Sequence, residues 1–279
     1  MEYVTLNTGA KMPMLGLGVF RVEEGDGKGA LHAAFETGYR SIDTAAAYNN
    51  EQLVGEAIRE SGIKREELFI TTKLSNTAQR EGDLEGAFAQ SLENLGLDYV
   101  DLYLIHWPVP ELYVNSWLAM EKFYKSGRAK AVGISNFLPR HIAEIKKVWS
   151  VVPAMNQIEF HPLLTQKLLL EECKAEGILP QSWSPLGGGK DFNFKENLLT
   201  NDVLMDIAKK YEKSTAQVIL RWNIDCGIVT IPKSVTPARI KENIDIFDFN
   251  LTMEEISAIN SLNKDQRTGP DPENFHNFF

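Results

Sequence analysis

Cysteine is scarce: Cys173 and Cys226 are the only two in 279 residues, and their spacing is not that of a Cys-x-x-Cys pair. A disulfide scaffold and a dithiol redox motif are therefore excluded, and both residues read as buried thiols. The five histidines include no His-Glu-x-x-His pair or similar ligand spacing, so no metal is expected. No apolar run approaches the ~20 residues of a membrane span, and Met1-Glu2-Tyr3-Val4-Thr5 lacks the basic and apolar stretches of a leader. A soluble, cytoplasmic protein is expected. Positive charge is also in deficit, with 29 Lys and Arg against 38 Asp and Glu, a net charge of −9 and no basic stripe. Nucleic acid and anionic membrane are poor partners for such a chain.

What is present is ordinary globular composition, 43% hydrophobic and 24% charged, which rules out disorder. Tyr3 to Leu6 and Lys11 to Met14 flank Asn7-Thr8-Gly9-Ala10, a hairpin signal. Eight short apolar runs follow: Leu15 to Leu17, Tyr39 to Ile42, Leu68 to Thr71, Val100 to Ile105, Ala129 to Ile134, Ala154 to Ile158, Ile178 to Gln181 and Ile228 to Ile231. Helical patterns lie between them, such as Leu84, Phe88, Ser91, Leu92 and Leu95, or Leu118, Phe123 and Tyr124 before Ser126-Gly127. Gly38, Gly62, Gly96, Gly127 and Gly177 stand where these helices should stop.

Eight strand-helix units in tandem predict an α/β fold with one closed (β/α)₈ barrel, preceded by the hairpin and followed by a C-terminal tail. The length suits a barrel of ~250 residues with both additions, and no linker or composition shift divides residues 1–279 into two domains. A doubly wound sheet is the competing architecture. It usually carries a Gly-rich fingerprint after its first strand, and here Gly16-Leu17-Gly18-Val19-Phe20-Arg21 has Arg where the third Gly belongs.

In a barrel the chemistry gathers at the C-terminal strand ends, and here those ends are polar. The second run ends at Asp43, with Tyr48 close behind, the third at Lys73 and the fourth at His106-Trp107. Ser135-Asn136, then Gln157 with Glu159 and His161, then Trp183-Ser184, then Lys233-Ser234 end the remaining four. Taken singly, an Asp is most often a cap, a Tyr packing and a Lys solvated. An acid, a phenol, an ammonium and an imidazole at consecutive strand ends share one cavity, and burying the charges is costly unless they pair. A phenol with pKa near ~10 is a poor acid, but a neighbouring ammonium lowers that value, and a carboxylate keeps the ammonium charged. Lys73 and Asp43 are placed for those parts, while neutral His106 orients a substrate oxygen. The set is a proton donor aimed at a developing alkoxide, as carbonyl reduction requires.

These residues carry a resemblance to the aldo-keto reductase superfamily along almost the whole chain. Asp43-Thr44-Ala45-Ala46-Ala47-Tyr48-Asn49-Asn50-Glu51 and the following Val54-Gly55-Glu56-Ala57-Ile58 resemble its segment bearing the catalytic Asp and Tyr. Thr71-Thr72-Lys73-Leu74 looks like the catalytic-lysine strand, and Leu97 to Pro108, with His106, like the histidine strand. Gly133-Ile134-Ser135-Asn136-Phe137, Asn156 to Pro162 and Ile231-Pro232-Lys233-Ser234 complete the pattern.

The resemblance implies reduction of an aldehyde or ketone by NADPH, without metal, by a monomer whose partner is a small carbonyl compound. It implies a catalytic tetrad of Asp43, Tyr48, Lys73 and His106. Ser135, Asn136 and Gln157 would bind the nicotinamide carboxamide, and Trp183, where the family more often has Tyr, would stack on the ring beside Ser184 and Leu186. Lys233, Ser234, Arg239 and Asn243 match positions that hold the 2′-phosphate and adenine, and two cations there favour NADPH over NADH. Phe20, Tyr48, His106 and Trp107 would line the substrate site.

Ser75 and Phe20 replace frequent tryptophans and so imply a wider pocket, and the short segment from Pro108 to Asn115 implies a small lid. Gly187-Gly188-Gly189-Lys190 lacks the phosphate-loop pattern and reads as a mobile connection, which the resemblance implies folds over the cofactor pyrophosphate. Phe275, Phe278 and Phe279 either line the substrate mouth or cap the barrel. Two other functions stay open: a Schiff-base lyase or aldolase using Lys73 or Lys233, and a non-catalytic nicotinamide sensor.

Overall fold

The structure is a computed structural model that describes residues 1–188 and 197–275. Its first elements are two antiparallel strands, β1 (Tyr3–Thr5) and β2 (Lys11–Pro13), with Val4 opposite Met12. Their turn needs Gly9, whose φ of +85° is costly for residues with a Cβ. The hairpin buries Leu6, Met12 and Met14, and Asn7 Nδ2 donates to the carbonyls of Val152 and Pro153. It therefore plugs the end of the barrel where the strands begin.

Eight parallel strands follow among the described residues: β3 (Leu17–Gly18), β4 (Ser41–Asp43), β5 (Phe69–Leu74), β6 (Leu102–Ile105), β7 (Val132–Ser135), β8 (Met155–Glu159), β9 (Leu179–Trp183) and β10 (Val229–Thr230). They pair in sequence order, so every crossover joins neighbours. The sheet closes on itself where Gly16 N donates to Thr230 O at 2.9 Å, Thr230 N to Met14 O at 3.0 Å and Gly18 N to Pro232 O at 3.2 Å. Each expected apolar run contains or adjoins one strand. The runs extend beyond the ladder because residues such as Val100 and Ala129, joined by an isolated bridge, are buried before the regular pairing begins.

Helices between successive strands return the chain to the strand starts. In the helix Leu84–Leu95, Phe88, Ser91, Leu92 and Leu95 form the buried face, as their spacing predicts. The helix Glu51–Ser61 packs so closely on its end that a Cβ on Gly55 would meet Leu95 O at 2.3 Å. All five helix-stop glycines have positive φ. Two details differ from expectation. In the helix Tyr113–Lys125 the buried face is set by Trp117, Met120 and Phe123, leaving Leu118 39% exposed. Cys173 is buried but Cys226 only half so, and both are free thiols. Among the described residues no helix is long and apolar enough to cross a membrane.

Candidate active site

Asp43 ends β4 and Lys73 lies in β5, on strands that pair Asp43 with Thr71. Both side chains are buried, with Lys73 Nζ 2.5 Å from Asp43 Oδ1 and 2.7 Å from Thr44 O. The other carboxylate oxygen accepts from Gln157 Nε2 at 2.7 Å, and the same amide donates to Gln181 Oε1 at 2.7 Å. Burial pulls the Lys73 pKa down and the Asp43 pKa up, and each residue's charge is what chiefly opposes the other's shift. A lone charge there would be unstable; the pair, bonded on both sides, is a fixed local field.

Tyr48 closes a 3₁₀ turn, Ala46–Tyr48, after β4. Asn50 locks that turn, since its Oδ1 accepts from Thr44 Oγ1 at 2.7 Å while its Nδ2 donates to Val19 O at 2.8 Å and Val22 O at 3.1 Å. The phenol ring stands 5.1 Å from Lys73 Nζ and edge-on to His106, with centroids 5.5 Å apart. Four strand-end residues are thus brought together as the sequence predicts. One expectation fails: the phenol's pKa is not lowered on balance, because burial and then the negative charge of Asp43 raise it well above its ordinary value. Burial and the Lys73 charge hold His106 well below the usual imidazole range, so the ring is neutral.

Phe20 lies against Tyr48 at 5.0 Å between centroids, and Trp107 against Phe275 at 4.6 Å, so aromatic rings wall the space around Tyr48 and His106. Trp107 is buried, and its Nε1 has no acceptor among the described residues. Phe278 and Phe279 lie outside the described residues, as do Gly189 and Lys190, while Gly187 and Gly188 both take positive φ.

Beside the tetrad, Ser135 Oγ donates to Gln157 O, and Asn136 Nδ2 to His106 O at 3.0 Å and Ser135 Oγ at 3.1 Å. Trp183 Nε1 donates to Asn136 Oδ1 at 2.8 Å. Asn136 and Ser184 hold φ of +64° and +49°, a strained backbone for residues other than glycine and one that clusters at functional sites. Leu186, half-buried, follows on the same strand end. At the eighth strand end Lys233 and Arg239 are exposed, with no ion-pair partner among the described residues, flanking the start of the helix Pro237–Ile244. Ser234 and Asn243 are buried beside them.

Glu159 and His161 do not join the tetrad. Glu159 Oε1 accepts from His161 Nε2 and from Thr268 and Gly269 of the C-terminal segment. Ser75 Oγ accepts from Ala78 N at 3.1 Å, capping the helix Asn76–Glu81, a role the sequence does not assign to it. Asn50 and Gln181 have no role assigned by the sequence, although Asn50 stands in the Tyr48 segment and Gln181 ends an apolar run. Among the described residues no group of three or more His, Cys, Asp or Glu is placed to hold a metal ion.

Known proteins resemble this chain along nearly its whole length. Glyoxal reductase of Bacillus subtilis (strain 168) is 52% identical, with 98% of this chain and 96% of the relative covered. The 9,11-endoperoxide prostaglandin H2 reductase of Trypanosoma cruzi (strain CL Brener) is 49% identical, with 98% and 95% covered. Among solved structures, a Bombyx mori aldo-keto reductase in complex with NADP superposes with a TM-score of 0.90 at 38% identity, over 98% of this chain and 96% of that one. The profile of the Aldo/keto reductase family matches residues 14–264, and the chain belongs to that family.

Proposed function

We propose that the protein is an NADPH-dependent reductase of aldehydes and ketones in which Tyr48 protonates the carbonyl oxygen. The observation that carries this reading is the buried Asp43–Lys73 pair at 2.5 Å beneath the Tyr48 and His106 rings. Small dicarbonyls are the first substrates to test, because the similar Bacillus protein is a glyoxal reductase. Larger ketones and quinones follow. The reading takes residues 1–279 as one domain, acting as a cytoplasmic monomer on a small carbonyl compound.

The residues present fit NADPH. Lys233 and Arg239 offer two cations without ion-pair partners among the described residues, at a helix start, a setting that suits a phosphate. Ser135, Asn136 and Gln157 would hold the carboxamide and Trp183 the ring face, with Ser184 and Leu186 beside it, and Ser234 and Asn243 would serve the adenosine end. When bound, NADPH supplies the hydride.

The chain's own residues do the rest. His106, held neutral, and the buried Trp107 N–H offer hydrogen bonds to a substrate oxygen. Tyr48 keeps its proton across the physiological range because its pKa is raised. It releases that proton only to a base as strong as a forming alkoxide, so protonation waits on reduction. The Lys73 ammonium stabilises negative charge on the phenolate left behind. The same pair argues against a Schiff-base reaction at Lys73, whose nitrogen is buried and bonded to Asp43 and Thr44.

A panel of aldehydes, dicarbonyls, ketones and quinones, followed by loss of NADPH absorbance, tests the proposal. Turnover of at least one class, with NADPH preferred over NADH, is expected. Failure of every class, or trapping of a substrate on lysine by borohydride without nicotinamide, overturns it.

A further inference from the structure

Glu159 is a carboxylate buried to 1% exposure, and burying one is costly unless donors surround it. They do. Its Oε1 accepts from Thr268 N and Thr268 Oγ1, each at 2.6 Å, and from Gly269 N and His161 Nε2, each at 3.0 Å. Arg267 Nη1 stands 3.7 Å from Oε2. Three consecutive residues of the C-terminal segment are thus gathered on one side chain of β8.

Across the sheet, Glu159 is the register partner of Trp183 on β9. The segment it gathers runs directly against that indole: a Cβ on Gly269 would lie 2.3 Å from Cη2 and 2.8 Å from Cζ3 of Trp183. The opposite edge of the ring is held by the bond from Nε1 to Asn136 Oδ1. The indole is therefore gripped at its pyrrole edge by a strand-end amide and at its benzo edge by backbone that has no side chain.

We propose that Glu159 and Gly269 are positioning residues: Glu159 fixes the C-terminal segment, and Gly269 sets the tilt of the Trp183 ring on which the nicotinamide rests. The inference depends on the reading of Trp183 given under Proposed function. A ring already held in one orientation binds its ligand without the cost of ordering it. Tryptophan at 183 and glycine at 269 then form one device, since only the indole reaches both the Asn136 oxygen and the tail.

NADPH affinity, measured by fluorescence titration of the full chain, tests this. Gly269→Ala should weaken NADPH roughly tenfold, because the methyl must displace the indole. Trp183→Phe carries a shorter ring that leaves room for the methyl, so the double variant should bind as Trp183→Phe alone does. That rescue is an effect a merely structural glycine would not show. Glu159→Ala should reproduce the loss, and Glu159→Gln, which keeps an acceptor oxygen, should restore part of it. Circular dichroism establishes folding, and if Glu159→Ala does not fold, the Gly269 and Trp183 set still decides. Wild-type affinity in Gly269→Ala, or an equal loss in both Trp183 backgrounds, overturns the proposal. Unchanged affinity in Trp183→Ala is a different result, which removes the stacking role itself.

Discussion

Lys73 and Asp43 meet at 2.5 Å inside the barrel, with no part of the lysine side chain exposed. Neither is stable there alone. Lys73→Met leaves the carboxylate unpaired and should cost about 3–5 kcal/mol of stability, whereas Lys73→Met with Asp43→Leu should recover part of that cost. Carbonyl reduction should stay lost in both. Urea denaturation and NADPH consumption on the same preparations check the pattern; a double variant less stable than the single would show that the pair does not act as a unit.

Tyr48→Phe keeps the ring beside Phe20 and His106 and removes only the hydroxyl. NADPH affinity should hold, and kcat should fall by roughly 10²–10⁴-fold. Retention of most of the wild-type kcat would place the proton donor elsewhere.

Arg239 is exposed and has no ion-pair partner among the described residues, so its loss should not disturb the fold. Arg239→Ala should weaken NADPH by roughly 10- to 150-fold, the worth of a charge-assisted hydrogen bond, and leave NADH nearly unaffected. Parallel titrations with the two cofactors make the comparison.

Ser75 caps a helix, and Ser75→Ala should cost about 1 kcal/mol of stability through loss of the bond to Ala78 N. The ratio of kcat/KM for a small aldehyde to that for a bulky ketone should not move. A changed ratio would show that the hydroxyl also reaches the carbonyl site.

His141 accepts from Leu138 N and is buried, which with the charge of Arg140 lowers its pKa to about 4. The unfolded chain, with imidazole near ~6.5, binds the proton first as pH falls. The stabilising contribution is therefore whole above pH ~6.5 and is lost on the way down to about 4, up to about 3 kcal/mol. Melting curves of wild type and His141→Gln between pH ~7 and ~5 should converge as the pH drops. A constant gap would mean the imidazole is not held neutral.

The barrel is legible in the sequence because parallel strands covered on both faces read as apolar runs, Val100 to Ile105 being the clearest. Their limits are less so, because burial starts before pairing does. The tetrad is legible by its position at strand ends. Position alone misplaces Glu159 and His161, since nothing local shows that residues 268 and 269 return to them. The cap at Ser75 is overlooked for the opposite reason: its partner, Ala78, is only three residues away, but a position just past Lys73 draws attention to the pocket before the helix. Leu118 suggests a buried face that Trp117, with its larger apolar surface, takes instead.

Asn136 and Ser184 adopt a left-handed backbone without being glycine. Each spends conformational energy at the mouth that the rest of the barrel must supply. Selection for heat resistance alone has relief to find at these two positions, and a laboratory lineage that took it there should drift toward a sturdier protein with a poorer grip on a ligand at the barrel mouth.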